Sequence, residues 1–300
     1  MNPRTLVIGS VLAFGVVISA CGADQANRSE DQPTTTTNAP AESSNPANAP
    51  YAFDDPDLSV ALPDELREVS GISALPDGRI AAVQDEEGII FLLNPETGAV
   101  ELRETFGEPA DYEGIAWADD RIFVLRSNGR LFEITQWPEG SPRVMDTRTP
   151  LRGKNDTEGL AYDARNGRLL IACKEEPGAG LGEDAKAIYA FDLTSRSLSE
   201  EPVFVLRQDQ IESQTPLTRK FKPSAVALHP ITGDLYVLSS TASGIVVVGA
   251  DGTLKNGWSL SSSLYEQPEG LTFLPDGTLF ISSEGGDGPA MLYRYAPNAN

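Results

Sequence analysis

One short unit recurs five times between residues 60 and 296, and a chain built that way has few folds open to it. The unit opens as Glu68-Val-Ser-Gly-Ile-Ser, Glu113-Gly-Ile-Ala, Glu158-Gly-Leu-Ala-Tyr, Ser224-Ala-Val-Ala-Leu and Glu269-Gly-Leu-Thr-Phe. With Gly71, Gly114, Gly159, Ala225 and Gly270 as the common position, successive units stand 43, 45, 66 and 45 residues apart. A turn and a second apolar run follow each opening, as in Pro76-Asp-Gly-Arg-Ile-Ala-Ala-Val and Pro275-Asp-Gly-Thr-Leu-Phe-Ile. A third run comes next, as in Gly129-Arg-Leu-Phe-Glu-Ile and Gly244-Ile-Val-Val-Val, and a more polar fourth closes most units. Four short strands in about 45 residues, joined by Asp-Gly and Asn-Gly turns, describe the antiparallel blade of an all-β propeller. An α/β alternative needs helical patterns of 10–15 residues between strands, and the sequence has none.

The long interval holds two insertions, residues 175–184 and 207–219, the second reading as a short helix that stops before Pro216. Without them it shrinks toward one blade, which gives five blades. Six result if residues 193–220 hide a degenerate blade or residues 51–65 begin one. The last unit reaches only its third strand by residue 296, so its outer strand is expected from the segment before Glu68.

Ahead of the repeats, Arg4 precedes an apolar run from Leu6 to Ile18, then Ser19-Ala20-Cys21. A basic start, a short apolar stretch and small residues before a cysteine have the layout of an export signal. The run falls short of the ~20 residues that span a membrane. The ending resembles a bacterial lipobox, so residues 1–20 are expected to be removed and Cys21 to carry lipid (palmitate). The mature protein would then be held to the membrane by lipid, with no transmembrane helix. Gly22, where an aspartate would signal retention, resembles an outer-membrane address. Residues 21–50 are rich in Pro, Asn, Ser and Thr and read as a disordered tether, which leaves 51–300 for the propeller.

Composition narrows the chemistry. With 44 acidic residues against 23 basic, the formal charge is -21, which argues against nucleic acid as a partner and against binding to anionic membrane surfaces. A single histidine, His229, excludes His-rich zinc sites, and no Gly-x-Ser-x-Gly elbow accompanies it. His229 falls in the turn after a first strand, on the face away from the glutamates. Once Cys21 is lipidated, Cys173 has no disulfide partner, and its run Leu169-Leu-Ile-Ala-Cys173 reads as a buried strand.

In a propeller the first strand of each blade lines the axis, and the loop leaving the second strand opens on the same face as the start of the first. Glu68, Glu113, Glu158 and Glu269 are therefore expected at one channel mouth, with Ser224 in the fourth blade. Asp85, Glu86, Arg126, Lys174, Glu175 and Glu284 belong to the same ligand-binding face. The repeated glutamates can serve the architecture by accepting backbone hydrogen bonds. Alternatively they form a metal site, because four carboxylates in one mouth repel unless protonated, hydrated or bridged by a cation. Oxygen ligands of that kind suit calcium.

The stretches Leu66-Arg-Glu-Val-Ser-Gly-Ile-Ser, Asp111-Tyr-Glu-Gly-Ile-Ala, Asp156-Thr-Glu-Gly-Leu-Ala-Tyr, Lys222-Pro-Ser-Ala-Val-Ala-Leu-His-Pro and Gln267-Pro-Glu-Gly-Leu-Thr-Phe-Leu-Pro-Asp-Gly occur in order. Together they resemble the SdiA-regulated proteins, bacterial envelope propellers without a settled activity. More distantly the chain is similar to calcium-dependent lactonases, strictosidine-synthase-like proteins and phytase-like propellers, a likeness that implies Ca²⁺ at the channel. Two functions follow as expectations. One is a cell-envelope lipoprotein whose calcium-stabilised propeller binds or scaffolds an envelope protein, a glycan or a small molecule. The other is a metal-dependent hydrolase of a lactone or phosphate ester. In that case Glu113 or Glu158 would position water, and Arg126 or Lys174 would stabilise negative charge.

Overall fold

The computed structural model of the protein describes residues 49–178 and 180–298. The export signal read at residues 1–20, Cys21 and most of the tether lie outside them. Strand β1 (Leu58–Ala61) comes first in the described chain but belongs to the last blade. Blade I is β2 (Val69–Ala74), β3 (Ile80–Gln84), β4 (Ile89–Leu93) and β5 (Val100–Thr105). Blade II is β6 (Tyr112–Ala118), β7 (Arg121–Arg126), β8 (Arg130–Thr135) and β9 (Arg143–Arg148). Blade III holds β10 (Thr157–Asp163), β11 (Arg168–Cys173), β12 (Ala185–Asp192), β13 (Ser197–Leu198) and β14 (Phe204–Arg207). Blade IV is β15 (Ala225–Leu228), β16 (Leu235–Ser239), β17 (Gly244–Val248) and β18 (Leu254–Ser259). Blade V is β19 (Gln267–Phe273), β20 (Leu279–Glu284), β21 (Met291–Tyr295) and, outermost, β1. Every pairing is antiparallel, so the protein is a five-bladed β-propeller.

The long interval contains no sixth blade. The outer edge of blade III is split, with β13 pairing the Phe191–Asp192 end of β12 and β14 pairing its Ala185–Ile188 end. Helix α1 (Gln208–Gln214) then packs against β14 and β18, ending before Pro216 as the sequence predicts. The innermost strands β2, β6, β10, β15 and β19 neighbour one another in sequence, and β19 meets β2 to close the circle.

The inner strands of each blade read as nearly continuous apolar runs because they are covered on both faces, while outer strands such as β9 stay polar and exposed. Along β16, Leu235 and Val237 enter the core between blades III and IV, while Tyr236 and Leu238 enter the core between IV and V. Five such cores fill the five gaps between neighbouring blades. Tyr51 and Phe53, from the segment before β1, plug the one between IV and V. His229 has a structural task at that plug. Its Nδ1 accepts from the amides of Ile231 (3.3 Å) and Thr232 (3.2 Å). Its Nε2–H therefore donates to the Tyr51 hydroxyl at 3.0 Å, and that hydroxyl donates to the Gly277 carbonyl at 2.7 Å. Cys173 is free and buried, and burial pushes its thiol up to about 12. No helix among the described residues is long and apolar enough to cross a membrane.

Near the axis the inner strands run too close for side chains. A Cβ on Gly71 would lie 2.8 Å from the Glu113 carbonyl oxygen, and one on Gly114 would lie 2.6 Å from that of Glu158. This is the physical reason for the glycine repeated in four of the five units.

Candidate functional site

In four blades the innermost strand carries one residue more than its partner strand opposite. The register shifts between Val69 and Gly71, Tyr112 and Gly114, Thr157 and Leu160, and Pro268 and Gly270. Such a bulge bends the strand and re-aims the side chain that it carries. The inner pair of blade IV, β15 with β16, has no such bulge, and Ser224 stands in the equivalent place before Ala225. The residues so aimed are Ser70, Glu113, Glu158, Ser224 and Glu269, and all five line a cavity of about 10 Å³ on the axis. That volume is on the order of one water molecule. The serines are committed to their neighbours: Ser70 Oγ donates to the Tyr112 carbonyl at 2.7 Å and Ser224 Oγ to the Pro268 carbonyl at 2.9 Å.

The expected ring of Glu68, Glu113, Glu158 and Glu269 is corrected at one position. Glu68 is exposed and lies two residues before the ring residue Ser70, so the ring has three carboxyls and two hydroxyls. Stepping back two residues in every blade gives a second tier: Glu68, Asp111, Asp156, Lys222 and Gln267. Across the hairpins, the amides of Asp85, Ser127 and Lys174 donate to the carbonyls of Glu68 (3.4 Å), Asp111 (3.1 Å) and Asp156 (2.7 Å). Gln267 pairs with Glu284. Asp85, Lys174 and Glu284 thus stand opposite this second tier.

Burial sets the electrostatics of the ring. It pushes Glu113 up to about 10, helped by Glu158, Asp111 and Glu269. Burial and Glu269 push Glu158 up to about 9, against the pull of Lys174. Lys174 Nζ pairs with Glu158 Oε1, while Glu158 Oε2 is buried with no protein partner. Glu269 is also raised by burial, restrained by Lys174 and by hydrogen bonds from Ser240 and Gln267. Burial would lower Lys174, but Glu158 and Glu269 outweigh it and keep the ammonium charged.

The outer mouth has two arcs of opposite sign. On one, burial and then Glu68 bring Asp85 to about 6, with Glu86 and Asp111 adding to the effect. Burial, Glu269, Asp85 and Glu68 bring Glu284 to about 7. On the other, Lys222 forms an ion pair with Glu175, and Lys186 Nζ donates to the Glu175 carbonyl at 2.8 Å. Burial lowers Lys186, and Lys220 and Lys222 are near enough to add to that. Arg126 departs from expectation. It is not among the groups that shift the ring glutamates, and its side chain lines a separate cavity between blades II and III.

The donors present do not make a calcium cage. Among the described residues no three Asp, Glu, His or Cys side chains are arranged to hold a metal ion. Glu68 stands off the ring, and the cation beside Glu158 is the Lys174 ammonium. Ser70, Asp111, Asp156, Gln267 and Ser240 were not legible as site residues from the repeated glutamates alone. Alignment on the repeated glycine, with steps back of one and three residues from it, recovers the first four.

These features define a class: a five-bladed propeller with a ring of buried acids at one mouth of its axis. A family profile described as SdiA-regulated matches residues 64–296. The chain belongs to the SdiA-regulated family. Among solved structures, Myxococcus xanthus glutaminyl cyclase is similar over 81% of this chain and 95% of its own, at 16% identity and TM-score 0.57. A luciferin-regenerating enzyme is similar over 81% of this chain and 95% of its own, at 13% identity and TM-score 0.50. At such identities the likeness is one of fold. No curated protein matches the chain by sequence.

Proposed function

We propose that this protein is a ligand-binding module of the cell envelope, anchored through lipid on Cys21 and presenting the propeller mouth to an amine-bearing ligand. Gly22 after the cysteine favours the outer membrane, and palmitate labelling that disappears in Cys21→Ser tests the anchor. The observation that carries the reading is the acidic arc above the ring. Burial first, and then repulsion from neighbouring carboxylates that include Glu68, raises both Asp85 and Glu284. An ammonium group from a peptide or amino sugar, set among them, would relieve that repulsion. The ring beneath has room for about one water and none for an organic substrate.

Lys174 and protons offset the ring's charge without a bound metal. Calorimetric titration of the full chain with short peptides and amino sugars tests the proposal, each probe compared with its N-acetylated form. Only free amines are expected to bind, and more tightly at pH 7 than at pH 5.5, a range over which Asp85 and Glu284 lose protons while a peptide or sugar amine stays charged. EDTA is expected to leave both affinity and melting temperature unchanged. Equal binding of acetylated ligands would overturn the reading, and a calcium-dependent rise in melting temperature would restore the metal. Turnover of a lactone or phosphate ester, lost in Glu113→Gln, would make the protein a hydrolase instead.

A further inference from the structure

The cavity that takes Arg126 lies apart from the mouth and has the opposite character. The β7–β8 hairpin and the segment from β9 to β10 enclose about 340 Å³, with Arg126, Arg130, Arg148 and Arg152 in its walls and no carboxylate among them. In a chain with 44 acidic and 23 basic residues, four guanidinium groups around one space call for a counter-charge. The protein supplies little of it. Arg130 pairs with Asp146 at 2.5 Å. Arg152 Nη1 donates to the carbonyls of Thr149 (2.7 Å) and Leu151 (2.8 Å), which fixes the side chain without neutralising it. Arg126 Nε is buried with no partner, and Arg148 is exposed and forms no ion pair or hydrogen bond among the described residues.

The wall is preformed. Thr149 Oγ1 donates to the Gly129 carbonyl at 2.7 Å, and a Cβ on Gly129 would lie 2.7 Å from Leu151 Cβ. The hairpin tip is therefore seated directly on the β9–β10 segment. The planar forks of arginine match the paired oxygens of a phosphate, and the volume is at the small end of organic-ligand sites.

We propose that this cavity is a binding site for a phosphate monoester or diester group carried by a small organic molecule or by a lipid headgroup. It is independent of the amine reading of the mouth, and neither stands or falls with the other. The test is calorimetric titration of the full chain with inorganic pyrophosphate and glycerol phosphate, and flotation with vesicles of phosphatidylglycerol in phosphatidylcholine. Saturable one-to-one binding of at least one probe is expected, weakened by added salt. Arg148→Gln is expected to weaken it about tenfold, the loss of one charge-assisted fork. Arg126→Gln should do the same. Arg143→Gln removes the same charge from an exposed position outside the cavity and should leave affinity unchanged. Arg148 has no partner to lose, so its variant should melt with the wild type. Binding to vesicles alone would assign the lipid source, and binding to glycerol phosphate alone the soluble one. Failure of every probe to bind, equal losses in Arg148→Gln and Arg143→Gln, or citrate binding as tightly as glycerol phosphate would overturn the assignment.

Discussion

Gly114→Ala is expected to lower the unfolding free energy by about 3 kcal/mol, the upper part of the usual range for overpacking. In a domain of this size that corresponds to a fall in melting temperature of roughly 6–12 °C. The added Cβ would meet the Glu158 carbonyl oxygen at 2.6 Å and Leu160 Cβ at 2.7 Å, atoms of the neighbouring inner strand that cannot swing aside. Relief would require blades II and III to separate at the axis, where the ring of five leaves no slack. Gly153→Ala, which meets nothing within 4 Å, serves as the control and should melt with the wild type. Ala225→Gly, at the same place in blade IV, should cost only about 0.5–1 kcal/mol through backbone entropy. Thermal and urea melts of the three variants check the ordering. A Gly114→Ala protein as stable as Gly153→Ala would mean that the inner strands are not packed as described.

The second large effect is on the pH dependence of stability. The Glu113 carboxyl has an ordinary value of 4.5 and stands near 10 in the fold, so between those limits the folded chain holds a proton that the unfolded chain has released. Stability from this group is complete below pH 4.5 and is lost progressively as pH rises toward 10, by up to about 1.4 kcal/mol per unit. From pH 6 to pH 9 Glu113 alone then accounts for up to about 4 kcal/mol, and Glu158, raised to about 9, acts in the same direction. Glu113→Gln replaces the protonated acid by an amide of the same shape and should flatten the slope by one proton. In strong acid the trend reverses. Asp77 is held low by its hydrogen bond from Arg79. In Glu133, hydrogen bonds from Arg196 and Arg121 outweigh the effect of burial. Both contribute stability that is lost as pH falls through their folded values. Urea melts at half-unit intervals from pH 3 to 9 read both limbs. A wild-type limb above pH 6 no steeper than that of Glu113→Gln would contradict the ring electrostatics.

The fold was legible because the propeller writes one blade at a time. Five copies of one opening, four of them carrying the glycine, give the blade count, and the missing fourth strand after Tyr295 points to β1. The site was legible only in part, for a geometric reason. Reading the glutamates as one letter in the repeat puts Glu68 beside Glu113, whereas alignment on Gly71 and Gly114 puts Ser70 there and Glu68 beside Asp111 in the outer tier. That the residue before the glycine lines the axis follows from the bulge, a property of pairing between two strands that neither announces alone. Arg126 was misplaced for a related reason. It ends β7 at the mouth-facing end, yet its side chain turns outward to the β9–β10 segment, whose path comes from packing rather than from periodicity. Lys174 directly follows the end of β11 in the sequence, while its pairing with Glu158 depends on how far β10 and β11 bring their ends together.

The central claim is that the mouth of this propeller is built on buried acids that keep their protons at neutral pH. Carbon-13 NMR of the full chain labelled at the glutamate carboxyls tests it most directly, with the Glu113 resonance assigned by its absence from Glu113→Gln. The account predicts a Glu113 carboxyl still protonated at pH 7, with a midpoint well into the alkaline range; a Glu113 midpoint near the ordinary 4.5 would contradict it.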